Sequence, residues 1–343
     1  MKIMKGFFRR WHSWSLCTLG LCSLGVCQPA AGQSSAWIAA VDEYVPAPGQ
    51  FVNTLPEWCE GDDAEAMRAK AETAIAGTTG GMITLGGWGG YVTFHFNHPV
   101  VNVPEERDLY IAGNATTGGS EAGIVMVSQD ENCNGLPDDT WYELQGSADQ
   151  DSTNVKYGYL LQYARAGDLQ DIPWTDNQGD TGYIKRNAFH AQEYFPAWLD
   201  SPLVFNGTRL PTNAYDRSGN GTYWVLNPFR YGYVDNLPNS DTEANTFDIG
   251  WAVDPLTRQP VTLPYVDFVR VYTALNQSAG WLGETSTEVT GAKDLHPDAM
   301  AGIHEVQVEN KKRLIYDFDL LGRPVRRFLP PSVPSGPRSI LWE

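Results

Sequence analysis

The chain has 343 residues, 24 Lys and Arg against 41 Asp and Glu, and a formal net charge of −17. An acidic excess of that size repels phosphate backbones and anionic lipid, which excludes nucleic acid and anionic membrane as partners. Only 19% of residues are charged, while 34 Gly, 22 Pro, 12 Trp and 16 Tyr favour short strands joined by many turns over a helical protein.

In chain order, the basic segment MKIMKGFFRR, the apolar run SLCTLGLCSLGVC and the small residues of QPAAGQ read as a secretory signal over residues 1–32. The apolar run falls short of the roughly 20 residues a membrane span needs, and no later segment approaches that length, so no transmembrane segment is expected in the mature chain. Two processing routes stay open: cleavage after Gly32, or lipid attachment at Cys27. The expected location is the cell surface or outer membrane, with the lipid anchor at Cys27, and otherwise the extracellular space or periplasm. Loss of the leader removes four basic residues and no acid, leaving 20 against 41 and a net charge of −21. Cys59 and Cys133 are then the remaining cysteines, and an exported chain with two is expected to join them in one disulfide.

GDDAEAMRAKAETAIAG predicts a single helix, opened by Asp62 and Asp63 and stopped at Gly77. In GMITLGGWGGYVTFHFNHPVVN a glycine-rich bend precedes a strand in which Tyr91, Thr93, His95 and Asn97 alternate with Val92, Phe94 and Phe96. AGIVMVSQD is a short apolar strand. VKYGYLLQYARAG, TYWVLN, FDIGWAVD and VDFVRVYTAL continue the pattern between turns such as DRSGNG and DNLPNS. The expected fold is mainly β, an antiparallel jelly-roll-like β-sandwich with one short N-terminal helix, forming a ligand-binding domain over residues 33–308. Residues 309–343 turn basic and Pro-rich and read as a separate tail. Its YDFDLLGRPV resembles a segment of the C-terminal sorting domains of Bacteroidota surface proteins, whereas GPRSILWE departs from their usual ending. A truncated sorting segment and a last strand with a disordered end are both open readings.

QDENCNGLPDDTWYE carries the spacing of a calcium loop. A hard cation takes six to eight oxygens, and side chains at alternate positions around a glycine turn supply several together. Asp130, Asn132 and Asn134 fill positions one, three and five, Gly135 position six, the carbonyl of Leu136 position seven and Asp138 position nine. Position twelve is Trp141, so Asp139 or Glu143 has to replace the usual closing glutamate. The segment lies between strand patterns, which predicts a Ca²⁺ turn between strands. An Asx-rich turn that needs no ion is the alternative. Cys133, at position four, points away from the ion and is free to pair with Cys59.

Asp235, Asp241, Glu243, Asp248 and Asp254 cluster without metal-ligand spacing and are expected to be mostly solvated loop acids, with Asp248 or Asp254 capping turns. His95 and His98 lack a third ligand and read as structural. GxSxG, HExxH, CxxC and a phosphate-binding glycine loop are all missing from the sequence, so catalysis is not expected, although two carboxylates brought together by the fold would suffice for a glycosidase. Flat aromatic faces suit a sugar or a planar ligand. Trp88 in GGWGG and Trp281 in AGWLGE are the tryptophans expected to be exposed and to bind it.

The segments LPEWCEGDDAEAMRAKAETAIAG, LGGWGGYVTFHFNHPV, GIVMVSQDENCNGLPDDTWYELQGS, FNGTRLPTNA, YGYVDNLPN, FDIGWAVD and AGWLGETSTEVTGAKDLH together resemble a family of exported Bacteroidota cell-surface proteins, some described as PKD-domain-containing. The likeness spans about residues 40–300. Some members are encoded beside outer-membrane vitamin B12 uptake genes, which implies corrinoid capture and a transporter partner. The family motif D-x-N-G-N-G-L-P-D-D has glycine where Cys133 stands, and that departure favours the Cys59–Cys133 bridge. The resulting expectation is a calcium-stabilised surface protein that captures a corrinoid or a glycan. A carbohydrate-active enzyme with paired carboxylates and a structural surface-layer component are the alternatives.

Overall fold

The structure is a computed structural model that describes residues 34–78 and 80–299; the leader, Cys27 and the tail at 309–343 lie outside the described residues. The elements are β1 (Ala40–Val45), α1 (Ala64–Ile75), β2 (Ile83–Thr84), β3 (Tyr91–Val101), β4 (Leu109–Ala112), β5 (Gly123–Ser128), β6 (Trp141–Leu144) and α2 (Ala148–Asp151). They continue with β7 (Lys156–Tyr163), β8 (Ile172–Asp176), β9 (Thr181–Ile184), β10 (Leu203–Arg209), β11 (Ala214–Asp216), β12 (Trp224–Leu226) and β13 (Thr246–Phe247). The last are β14 (Ala252–Val253), β15 (Tyr265–Thr273), β16 (Glu288–Val289) and β17 (Gly291–Asp294). The fold is mainly β and antiparallel, with α1 the one helix of more than two turns among the described residues.

A six-stranded sheet in the order β1-β3-β15-β5-β6-β14 forms the centre. A four-stranded sheet β10-β7-β8-β9, a three-stranded sheet β13-β4-β17 and the pairs β11-β12 and β16-β2 surround it. β15 lies in the middle, with Val269 opposite Phe94 on β3 and Val127 on β5. Period-two alternation sends successive residues to opposite faces. Val92, Phe94 and Phe96 of β3, Val125 and Val127 of β5 and Val271 of β15 face one core with Leu109, Ile111, Phe247 and Ala292 of the three-stranded sheet and Met67, Ala71 and Ile75 of α1. On the other face, Tyr91 packs on Phe205 of the four-stranded sheet, and Ile124 and Tyr272 enter a third cluster with Leu210 and Tyr233. The six-stranded sheet is therefore covered on both sides, which is the sandwich arrangement the strand pattern predicts. Each large apolar side chain buried this way contributes about 1.5–3 kcal/mol relative to leaving it exposed.

α1 forms where Asp63 accepts a hydrogen bond from the Ala66 N–H at 2.9 Å, satisfying one of the helix's unpaired first-turn donors. Its buried stripe, Met67, Ala71 and Ile75, follows the i, i+4 spacing that places residues on one face. Arg68 ties the helix to β1 by donating to the carbonyl of Val41 and to Glu72, whose carboxylate in turn accepts the Val41 N–H.

The expected Cys59–Cys133 disulfide is corrected by the structure, in which Cys59 is a free and exposed thiol. Cys59 lies in the turn before α1, and α1 docks on β1 at one edge of the six-stranded sheet. Cys133 lies in the β5–β6 connection, and β5 is three strand positions away from β1. At about 4.8 Å per strand that spacing exceeds the roughly 7 Å between Cα atoms that a disulfide can bridge.

Candidate functional site

Three places gather chemistry-bearing side chains. The first is the turn between β5 and β6. Asp130 is its hub: one carboxylate oxygen accepts the N–H of Asn134 at 3.0 Å and the other that of Gly135 at 2.8 Å. The side-chain oxygen of Asn132 accepts the Asn134 N–H, and that of Asn134 accepts the Leu136 N–H. Asn132 and Asn134 turn their amide nitrogens towards Asp138 at 3.1–3.3 Å, and Asn132 reaches Asp139 at 3.4 Å. Beneath them Asp267 on β15 accepts the Asp130 N–H at 2.7 Å, and burial together with the charges of Asp130 and Asp139 raises its pKa. The residues expected to surround an ion are thus brought together. Glu143 is not among them. It is 1% exposed and engaged by Arg258, by Tyr272 at 2.7 Å and by Thr208 at 2.9 Å on the far side of β6.

The β11–β12 hairpin repeats this turn, a match that spacing alone could have shown. Asp216, Ser218, Asn220 and Gly221 occupy positions one, three, five and six. The Gly221 N–H donates to Asp216 at 2.7 Å. Position four has φ 59° at Cys133 and 69° at Gly219, and position six has 73° at Gly135 and 83° at Gly221. The two loops share a backbone conformation but differ in charge. The hairpin carries Asp216 beside Arg217, whereas the β5–β6 turn gathers Asp130, Asp138, Asp139 and Asp267.

No family model matches the chain, and no curated protein does either.

The second place concerns the two tryptophans. Trp88 is fully buried, which corrects its expected exposure. Its indole meets Tyr159 edge-on at 4.7 Å inside the core beneath the four-stranded sheet. The glycines around it serve close backbone packing: a Cβ on Gly86 would fall 1.9 Å from the Ala47 carbonyl oxygen, and one on Gly90 1.9 Å from that of Leu85. Trp281 is half-exposed as predicted, at 50%. Phe189, 72% exposed and from a distant part of the chain, packs beside it with ring centroids 6.1 Å apart and planes inclined by 68°. Nothing in the sequence around Phe189 singles it out, because its partner lies 92 positions away.

The third place is a group of buried acids. Glu121, Asp235 and Glu288 bring one carboxylate oxygen each within 4.8 Å of one another, the one such group among the described residues. Asp235, expected to be solvated, is fully buried with φ 56° and accepts the N–H groups of Asn114 at 2.6 Å and Glu288 at 2.9 Å. Ser286 and Thr84 donate to Glu288 at 3.0 Å, and the carboxylate of Glu121 is enclosed although part of its side chain reaches the surface. No Lys, Arg or His among the described residues forms an ion pair with the group. Two ionised carboxylates at 4.8 Å repel by about 3 kcal/mol at an effective dielectric near 20, a cost that a proton or a cation in the group would relieve. Burial raises Asp235 to about 7 and lifts Glu121 and Glu288 well above the usual carboxylate range, the last two reinforced by the charges of their acidic neighbours. Asp248 and Asp254 do cap turns, accepting the N–H of Gly250 at 2.7 Å and of Leu256 at 3.0 Å. His95 pairs with Asp42 and His98 with Asp294, each at its own carboxylate.

Proposed function

We propose that this chain is an exported cell-surface protein that captures a small nutrient, a glycan or a corrinoid, on the face formed by Trp281 and Phe189. In this reading it is stabilised by Ca²⁺ in the β5–β6 turn and passes its ligand to an outer-membrane transporter. A leader over residues 1–32, an anchor at Cys27 and a jelly-roll connectivity belong to the same proposal. The observation that carries it is the pair of large aromatic rings, 50% and 72% exposed, set side by side by segments far apart in sequence. Rings exposed singly are ordinary, as at Tyr183 and Tyr215, but two large rings set side by side form a contiguous apolar patch that suits a contact surface. Among the described residues no helix is long and apolar enough to cross a membrane.

Titration calorimetry with corrinoids and oligosaccharides tests the reading. Heat of binding is expected from the native protein and at least a tenfold weaker affinity from Trp281→Ala; equal affinity in the two would remove the aromatic pair from the site. The second reading is a carbohydrate-active enzyme, for which Glu121, Asp235 and Glu288 are the carboxylates the fold brings together, although Asp235 and Glu288 are buried and would have to be uncovered to meet a glycan. Release of free sugar during the same titrations favours it.

The calcium part has its own support in the four carboxylates around the β5–β6 turn, which face no basic side chain within the turn. Turning the Asn132 and Asn134 amide oxygens towards an ion would exchange their hydrogen bonds from the N–H groups of Asn134 and Leu136 for bonds to the metal. Chelation is expected to lower the melting temperature of the native protein by several degrees. Asp130→Ala is expected to melt low and to ignore the chelator. A native protein equally stable with and without the chelator contains no ion in this turn.

A further inference from the structure

The two aromatic segments are not left to find one another through their rings alone. Gln50, 6% exposed, stands behind both. Its side-chain nitrogen donates to the carbonyl of Leu282 at 3.0 Å, next to Trp281, and its side-chain oxygen accepts from the Asn187 amide at 2.6 Å. Asn187 in turn accepts the N–H groups of Phe189 at 2.9 Å and His190 at 3.0 Å, closing the turn that carries the phenyl ring. The backbone N–H of Gln50 donates to Glu284 at 2.5 Å, and the other oxygen of that carboxyl group is buried without a hydrogen-bond partner. On the opposite side Trp224 closes against Gly280, where a Cβ would come within 2.3 Å of the indole nitrogen. The turn bearing Trp281 is therefore held between Trp224 and Gln50, and the inclination of 68° between the two exposed rings is built in.

That inclination selects among ligands. A rigid planar macrocycle that lies flat on Trp281 meets Phe189 at a steep angle and cannot stack on it. A single saturated six-membered ring presents a C–H face to the indole and an edge to the phenyl ring at the same time. We propose that the notch between Trp281 and Phe189 takes one pyranose ring of a glycan rather than the face of a corrin, and that Gln50 is the positioning residue that sets the notch. This rests on the reading of the aromatic pair as the ligand site.

The test uses methyl glycosides of glucose, galactose and mannose and, separately, cyanocobalamin, titrated into the full chain. Three proteins are compared: the native one, Trp281→Ala, and Gln50→Met, which keeps the side-chain volume but makes no hydrogen bonds. Proteins labelled with fluorotryptophan report the environment of Trp281 by fluorine NMR, its line assigned from Trp281→Phe. At least one glycoside is expected to bind the native protein and to bind both variants tenfold or more weakly, with the Trp281 line shifted or broadened in Gln50→Met before any ligand is added. Cyanocobalamin binding that depends on Trp281, without glycoside binding, overturns the pyranose while leaving the aromatic pair as the site. Glycoside binding that survives Trp281→Ala removes the site itself. Glycoside binding that needs Trp281 but is unchanged in Gln50→Met, with an unmoved fluorine line, overturns the role of Gln50. Absence of binding by every glycoside overturns the proposal. A fall in the melting temperature of Gln50→Met does not confuse the result, since the titrations run well below it and the fluorine line reports on the folded state.

Discussion

Trp88→Ala is expected to destabilise the protein by about 3–5 kcal/mol, the range seen when a buried tryptophan is truncated. The indole is fully buried against Tyr159, and the carbonyl of the same residue accepts the Tyr163 hydroxyl at 3.0 Å. The indole nitrogen has no hydrogen-bond partner, so the substitution breaks no side-chain hydrogen bond and the loss is one of packing. The cavity cannot close by backbone movement, because Gly89 already lies where a Cβ would be 2.4 Å from Phe205. Denaturant unfolding measures the effect. A loss below about 1 kcal/mol would mean that the GGWGG bend is not part of the core.

Acidity provides the second large effect. Glu121, Asp235, Glu284 and Glu288 are all held above the usual carboxylate range, first by burial, with Asp235 at about 7 and Glu284 at about 8. Between about pH 4 and pH 8 the folded protein binds more protons than the unfolded chain, so its stability falls as the pH rises. The contribution is whole below the unfolded carboxyl values and lost above those of Asp235 and Glu284, a change on the order of several kcal/mol. With chelator present, the melting temperature is expected to be higher at pH 5 than at pH 8.5, and Glu284→Gln is expected to shrink the difference. A melting temperature that instead rises with pH would show these carboxylates to be ionised and compensated in the fold.

The strands and the helix were legible because periodicity is local: the alternation at 91–97 and the acid-opened run at 62–77 each lie within a dozen or so residues. The turn at 130–139 was legible for the same reason, since the hydrogen bonds within it link residues at most eight apart, whereas the support from Asp267, 137 positions on, was not. Trp88 was misplaced because flanking glycines suit both an exposed turn and a close crossing of backbones, and only the positions of Ala47 and Phe205 distinguish them. Asp235 was misplaced because a loop acid is ordinarily solvated, and its partners come from residues 121 positions earlier and 53 later. Phe189 and Gln50 escaped notice because each acquires its meaning from Trp281 or Leu282, more than 90 residues away.

The place of β15 in the sheet also bears on how the chain is made. β15 is among the last strands of the described domain, yet it separates β3 from β5, both formed from its first half. Neither strand can complete its hydrogen bonds until residue 273 is available, so closure of the sheet waits on nearly the whole domain. Pairings this distant place folding towards the slow, millisecond-to-second end for β-rich domains. During that interval β3 and β5 offer bare edges to one another and to neighbouring chains. A polypeptide made N-terminus first keeps its central sheet open until almost the whole domain has been synthesised, and its edges need protection for that interval.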